Sequence, residues 1–227
     1  MTILCIIGNS GSGKSTIATE MEKFGIRQIV SYTTRPMRDG EVNGIGHFFI
    51  SDEMAQHLLM AHRPLAYTMF GGYRYFALFQ NISIPYSRHD IVSYVIDEKG
   101  FLNLLRNVNR LQHLMRVRYG FVDVDPIHLL PIYVEPTENV SNVDTSRLAR
   151  DMERIVLPAD TYKLRIVNDA ADLSALLQWS KDFAEAIRAY LTVVDADTMP
   201  SSGKPIYTSQ TGVANIIAAI NNALHHK

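Results

Sequence analysis

The sequence predicts an α/β domain of three layers, a parallel sheet flanked by helices. Thr2 to Ile7 is a short, fully apolar run of the kind buried on both faces of a parallel sheet, and further strand candidates recur at Asp90 to Asp97, His128 to Val134 and Tyr162 to Val167. Stretches of helical period separate them, and strands that alternate with helices wind into a parallel sheet by right-handed crossovers. A chain of 227 residues with 47% hydrophobic content is long enough for one sizeable core.

The elements follow in order. Thr2 to Ile7 is a buried strand, and Gly8 to Gly13 is a glycine-rich loop. A helix from about Lys14 to Phe24 carries Ile17, Ala18 and Met21 on one face. Ile29 to Ser31 reads as the second strand. From about Thr34 to Arg88 the composition shifts to Gly, Pro, Tyr and Phe, with one helix at Ser51 to Ala61. This predicts a small mixed insertion with antiparallel strands. After the strand at Asp90 to Asp97, a long helix is expected from Gly100 to about Arg118, with Leu102, Leu105, Val108, Leu111 and Leu114 on its apolar side. Thr137 to Thr145 is polar and loop-like, and a helix from there to about Ile155 stops before Pro158. Ala170 to Tyr190 is a long helix. Asp195 to Pro205 reads as a linker, and Thr211 to Leu224 as a small amphipathic helix.

Bulk properties narrow the function classes. A net charge of −1 gives no sign of a nucleic-acid-coating or membrane-surface protein. No apolar stretch has the length of a bilayer span, and the N-terminus lacks the basic segment of a signal peptide, so a soluble cytoplasmic protein is expected. The lone cysteine, Cys5, sits in an apolar strand and reads as a small hydrophobe. The eight histidines show no zinc-binding spacing.

Gly8-Asn9-Ser10-Gly11-Ser12-Gly13-Lys14-Ser15 matches G-x-x-x-x-G-K-[ST] in full, with an apolar strand before it and a helix after. Glycines let consecutive backbone N–H groups curl around phosphates, and the helix N-terminus adds its positive dipole end. Lys14 is placed to reach the β- and γ-phosphates, and Ser15 to ligate Mg²⁺. The motif therefore implies ATP·Mg²⁺ bound through Gly8, Ser10, Gly11, Ser12, Gly13, Lys14, Ser15 and Thr16.

In Val30-Ser31-Tyr32-Thr33-Thr34-Arg35-Pro36-Met37-Arg38-Asp39-Gly40-Glu41-Val42-Asn43-Gly44, two arginines lie among hydroxyl residues, which suits a second phosphate. Ser31, Thr33, Thr34, Arg35, Arg38, Gly40, Glu41 and Gly44 resemble the S-x-T-T-R-x-x-R-x-G-E-x-x-G segment of the guanylate kinase family. The resemblance runs over roughly residues 1 to 190. Val95-Ile96-Asp97-Glu98-Lys99-Gly100 is similar to the family's Asp-x-Asp-x-x-Gly with the first Asp replaced. Ser146-Arg147-Leu148-Ala149 resembles its lid-proximal helix, and Ile166-Val167-Asn168-Asp169 its adenine-side turn. The resemblance implies a P-loop kinase domain over 1–192, an acceptor-binding insertion over about 34–90, a lid over about 136–146, and an appended linker and helix over 193–227. It implies that Ser31, Arg35, Arg38, Glu41, His47, Tyr75 and Asp97 bind the acceptor, and that Ser15 and Asp97 hold the metal. Lys14, Arg35 and Arg147 then act on the transferring phosphoryl group, and Asn168 lies beside adenine. A homodimer is a further possibility.

Three departures qualify this. The family reads guanine with a Glu and a Ser/Thr at positions that here are Ala66 and Ala77. A family Tyr on the acceptor phosphate is His47, whose imidazole donates more strongly when protonated. The Thr137–Thr145 lid has no arginine. Asp123 and Asp125 read as a polar loop rather than a metal pair, and Trp179 as packing. Three readings stay open: a nucleoside-monophosphate kinase with altered base preference, a kinase for another phosphorylated acceptor, and a binding module without turnover.

Overall fold

The computed structural model describes residues 1–82, 91–119, 127–136, 155–193 and 204–225. Arg147, Asp123, Asp125, the lid beyond Pro136 and the helix expected up to about Ile155 lie outside the described residues, apart from that helix's last residue.

Six strands form the central sheet. They are β1 (Thr2–Gly8), β2 (Arg27–Gln28), β7 (Ile91–Val95), β8 (His128–Pro136), β9 (Leu164–Asn168) and β10 (Ile206–Tyr207), in the order β10-β9-β8-β1-β7-β2. Every pairing in this sheet is parallel. Parallel neighbours need crossovers, and five helices are described: α1 (Lys14–Glu22), α2 (Asp52–Ala61), α3 (Glu98–Tyr119), α4 (Leu173–Val193) and α5 (Val213–His225).

Alternation along β1 shows why both faces must be covered. Leu4 and Ile6 join Ile17 and Met21 of α1, Trp179, Phe183 and Ile187 of α4, and Ile216 and Ile220 of α5. Ile3, Cys5 and Ile7 join Phe101, Leu104 and Val108 of α3 on the opposite face. The result is three layers. Strand β1 lies between β7 and β8, so the crevice at its carboxyl end is the switch point at which open α/β sheets bind ligands.

The insertion expected over about 34–90 folds, together with Ser31–Thr33, as a second sheet of β4 (His47–Phe49), β3 (Ser31–Thr33), β6 (Tyr73–Leu78) and β5 (Pro64–Phe70), in that order. Its pairings with β6 are antiparallel and β3 with β4 is parallel. Helix α2 packs Ala55 and Leu58 on Phe76 and Leu78. Ser51 caps this helix by accepting from the Met54 N–H at 3.1 Å, with Asp52 and Glu53 in the first turn.

The structure revises three local expectations. The strand expected at Ile29 to Ser31 does not form as such: β2 ends at Gln28 beside β7, residues 29 and 30 belong to no strand, and Ser31 opens β3 in the other sheet. Ile29 and Val30, the apolar residues of that stretch, lie between the two strands, where the chain leaves one sheet for the next. In α3 the buried stripe is Phe101, Leu104 and Val108, whereas Leu102 and Leu105 are each 37% exposed. The helix starts at Glu98, and its i, i+3, i+7 stripe is the one that meets β5 and the sheet. Between the expected linker and the C-terminal helix, Ile206–Tyr207 adds a sixth strand beside β9 that the sequence pattern does not predict, and Ile206 is fully buried.

Candidate active site

The glycine-rich loop leaves β1 at the switch point. Gly11 and Gly13 have φ of 79° and 93°, conformations that L side chains rarely adopt. A Cβ on Gly13 would sit 2.7 Å from Asn168 Nδ2, and one on Gly8 would sit 1.9 Å from the Val134 carbonyl oxygen, so neither position has room for a side chain. Gly13 is also the N-cap of α1, and no side chain caps that helix. The contrast with the Ser51 cap on α2 is informative. The first N–H groups of α1 are left to a ligand, and the helix dipole makes that ligand an anion. Lys14 Nζ donates to the Asn9 carbonyl and, at 3.4 Å, to Ser12 Oγ, which folds the ammonium over the loop. Asn168 Nδ2 donates to the Ser12 carbonyl at 3.0 Å, and Thr208 Oγ1 donates to Asn168 Oδ1 at 3.2 Å. Asn168 thus braces the loop from behind.

Arg35 is 5% exposed and forms a bidentate pair with Glu41, NH1 to Oε2 at 2.7 Å and NH2 to Oε1 at 2.6 Å. Its guanidinium also donates to the Pro36 carbonyl and lies over Phe49 at 5.0 Å. Burial pulls the Arg35 pKa down, but the hydrogen bond and charge of Glu41, with Tyr75 alongside, more than restore it, so it stays charged. Burial likewise pushes the Glu41 carboxyl up. Hydrogen bonds from Arg35 and the Arg38 N–H outweigh this and leave it below the usual carboxylate range. Glu41 therefore holds the Arg35 guanidinium and the Arg38 backbone in place.

His47 lies on β4 beside Ser31, with Nδ1 and Ser31 Oγ 2.7 Å apart. Burial pushes its pKa down to about 4, and the charges of Arg35 and Arg38 add to this. His47 is therefore neutral near pH 7, so the stronger donation of a protonated imidazole is not available to it there.

One cavity of about 380 Å³ joins these parts. Gly8, Ser10, Gly11, Gly13, Lys14, Ser15 and Thr16 line it from the loop, and Ser31, Arg35, Arg38, His47 and Tyr75 from the second sheet. Asp97, at the end of β7, lines it too and accepts from the Gly100 N–H at 2.6 Å at the start of α3. Among the expected site residues, Ser12, Glu41 and Asn168 stand behind the lining and hold it in place. Sequence reasoning missed Tyr67, Thr68, Phe70, Tyr94, Val95, Ile96 and Gly100, which complete the wall. The period of two along β5 was the available signal, since Thr68 and Phe70 follow Ala66 on its face.

The guanylate kinase family model matches residues 1–105. The guanylate kinase of Chlorobium luteolum is 37% identical over 168 residues, covering 72% of this chain and 81% of that protein. The guanylate kinase of Rickettsia prowazekii is 26% identical over 196 residues, covering 82% and 92%. The crystal structure of guanylate kinase from Anaplasma phagocytophilum superposes with a TM-score of 0.52 over 86% of this chain and 88% of that one. At 16% identity, it speaks for the fold alone. With the phosphate loop, the paired arginines and the extent of the Chlorobium match in agreement, this chain belongs to the guanylate kinase family of P-loop phosphotransferases.

Proposed function

We propose that the protein transfers the γ-phosphate of ATP to the phosphate of a nucleoside monophosphate. The carrying observation is that one cavity is lined by both an uncapped, glycine-shaped phosphate loop and a pair of arginines on a separate sheet. Two anionic groups can thus be brought together from opposite walls. The loop N–H groups and Lys14 hold the β- and γ-phosphates, and Arg38, Tyr75 and the Glu41-anchored Arg35 hold the acceptor phosphate. An acceptor oxygen then forms a bond to the γ-phosphorus as the bond to the β,γ-bridging oxygen breaks, and ADP leaves with that electron pair. Little covalent chemistry is asked of the chain: alignment and offset of charge account for the rate.

The donor set fits Mg²⁺. Ser15 and Asp97 both line the cavity, and no group of three or more His, Cys, Asp or Glu side chains able to hold a metal exists among the described residues. One or two protein oxygens with the remaining positions left to phosphates and water are what Mg²⁺ takes in such sites, and when bound it offsets charge on the transferring phosphoryl group. Arg147 is proposed to add positive charge from the lid side, by family resemblance.

The names of the relatives make GMP the first acceptor to test. Ala66 and Ala77, a directly opposed pair on β5 and β6, stand where the family reads guanine, which supports an altered or looser base preference. The test is release of ADP from ATP·Mg²⁺ against a panel of ribo- and deoxynucleoside monophosphates and sugar phosphates, with Lys14→Met as control. Acceptor-dependent ADP from a monophosphate, reduced at least about 100-fold by Lys14→Met, is expected. ADP release only with a sugar phosphate, or with no acceptor at all, would refute the proposal.

A further inference from the structure

The second sheet contributes one polar side chain to the cavity whose hydroxyl is unmatched. Thr68 is 7% exposed and lines the cavity, and its Oγ1 has no hydrogen-bond partner among the described residues. A buried hydroxyl without a partner destabilises the free protein, and such groups are rare enough to need a reason. Its position supplies one. Thr68 lies two residues from Ala66 on β5, and its cross-strand partner is Tyr75, which neighbours Arg35. The hydroxyl is therefore one step along the sheet from the acceptor-phosphate group, where the base attached to that phosphate would lie.

Other polar candidates in the wall are engaged. Asp97 is the only carboxylate among the described lining residues, and it accepts from the Gly100 N–H. Glu41 is taken up by Arg35. The remaining wall at this end is Ala66, Phe70, Tyr94 and Ile96, mostly small or broad apolar surfaces suited to a flat ring, with the Tyr94 phenol the other hydroxyl at this end.

We infer that the Thr68 hydroxyl is the base-contacting, specificity-determining group of this pocket, and that it accommodates nucleobases of more than one kind. The inference rests on the nucleotide-kinase reading above. A hydroxyl both donates and accepts, and its hydrogen rotates to suit the partner. A ring carbonyl, ring nitrogen or exocyclic amine can each satisfy it. Strong rejection, on the order of 10,000-fold, arises where a wrong ligand leaves buried polar groups unpaired. A largely apolar pocket whose hydroxyls can each turn to donate or accept discriminates by about 100-fold at most.

The test measures calorimetric binding of AMP, GMP, CMP and UMP without ATP, and ADP release with each, for the wild type, Thr68→Val and Thr68→Ser. For the wild type, the affinities are expected to span less than about 100-fold. Thr68→Val weakens the tightest monophosphate about ten-fold, and Thr68→Ser restores it, with the KM for ATP unchanged in both. Thermal unfolding of Thr68→Val, which loses an unpaired hydroxyl, should be no earlier than that of the wild type. Unaltered binding of every monophosphate by Thr68→Val would overturn the inference, as would a wild-type preference beyond about 10,000-fold for one base, which needs no variant to observe. Binding that depends on Thr68 without ADP release would leave the inference standing and remove the kinase reading. ADP release insensitive to Thr68 would do the reverse, and no binding of any monophosphate would overturn both.

Discussion

Acidification should destabilise this fold through His47 well before its carboxylates titrate. The imidazole is held on β4 against Ser31 Oγ, with its ring edge-on to Phe49 and Tyr75 at 5.9 and 5.8 Å. Burial pushes its pKa to about 4, assisted by Arg35 and Arg38 and opposed by Glu41. The unfolded chain takes up a proton below pH 6.5, while the folded chain resists until about pH 4. Because the folded value is depressed, this contribution is fully present above pH 6.5 and is lost progressively as the pH falls towards about 4. Two such values imply a loss of about 2 kcal/mol between pH 7 and pH 5, rising to about 3 kcal/mol at pH 4. Urea unfolding of the wild type and of His47→Phe at pH 7, 6 and 5 reads this directly. Removing the ring also leaves the Ser31 hydroxyl without its partner, but that cost is the same at each pH. Carboxylates with depressed values, Glu41 and Asp169, lose stability in the same direction in both proteins and cancel in the difference. The wild type should lose about 2 kcal/mol more than the variant between pH 7 and pH 5. Parallel pH dependences in the two proteins would refute the burial argument.

Three further outcomes follow from named contacts. Glu41→Gln leaves the buried Arg35 without its counter-charge and should cost about 2 kcal/mol in urea unfolding, together with a raised acceptor KM. Gly13→Ala forces an L side chain into a φ of 93° and against Asn168, so it should cost about 1–2 kcal/mol and raise the KM for ATP more than that for the acceptor. Asp169→Ala removes the carboxylate that accepts from Ser209 N and Oγ, each at 2.7 Å, and that shares the Thr208 hydroxyl proton with Asn168, at 3.1 Å from Oγ1. Faster amide exchange across Val213–His225, with about 2 kcal/mol of stability lost, is expected.

Much of the ligand chemistry is legible locally. The phosphate loop occupies eight consecutive residues, so its spacing carries its geometry: the glycines permit the turn, and the strand before and the helix after aim it. The Arg35–Arg38 segment is equally compact. The apolar strands announce themselves because both faces of a parallel sheet are covered, which leaves no polar alternation to confuse the pattern.

Other features depend on which distant segments meet, and periodicity does not encode partners. Residues 29–31 look like one strand, but they bridge two: β2 ends at Gln28 in one sheet and β3 opens at Ser31 in the other. The bidentate hold of Glu41 on a buried Arg35 and the neutrality of His47 both follow only from the burial that the fold imposes. Thr68 is an ordinary strand residue in sequence, distinguished only by the hydroxyl that the assembled cavity leaves unpaired. The tail shows the division most plainly. Its helix is visible in the sequence as an amphipathic stripe, while its strand is two residues long and has no pattern of its own. Tertiary structure alone brings Ile206 beside Ile166 and Thr208 onto Asn168, the residue that grips the Ser12 carbonyl. The sequence by itself determined the phosphate cradle and the strands around it, because those properties are carried by neighbours along the chain. Only the tertiary structure decided which charges are paired, which ring is neutral and which hydroxyl is left over, because those properties arise when segments far apart in sequence exclude water from one another.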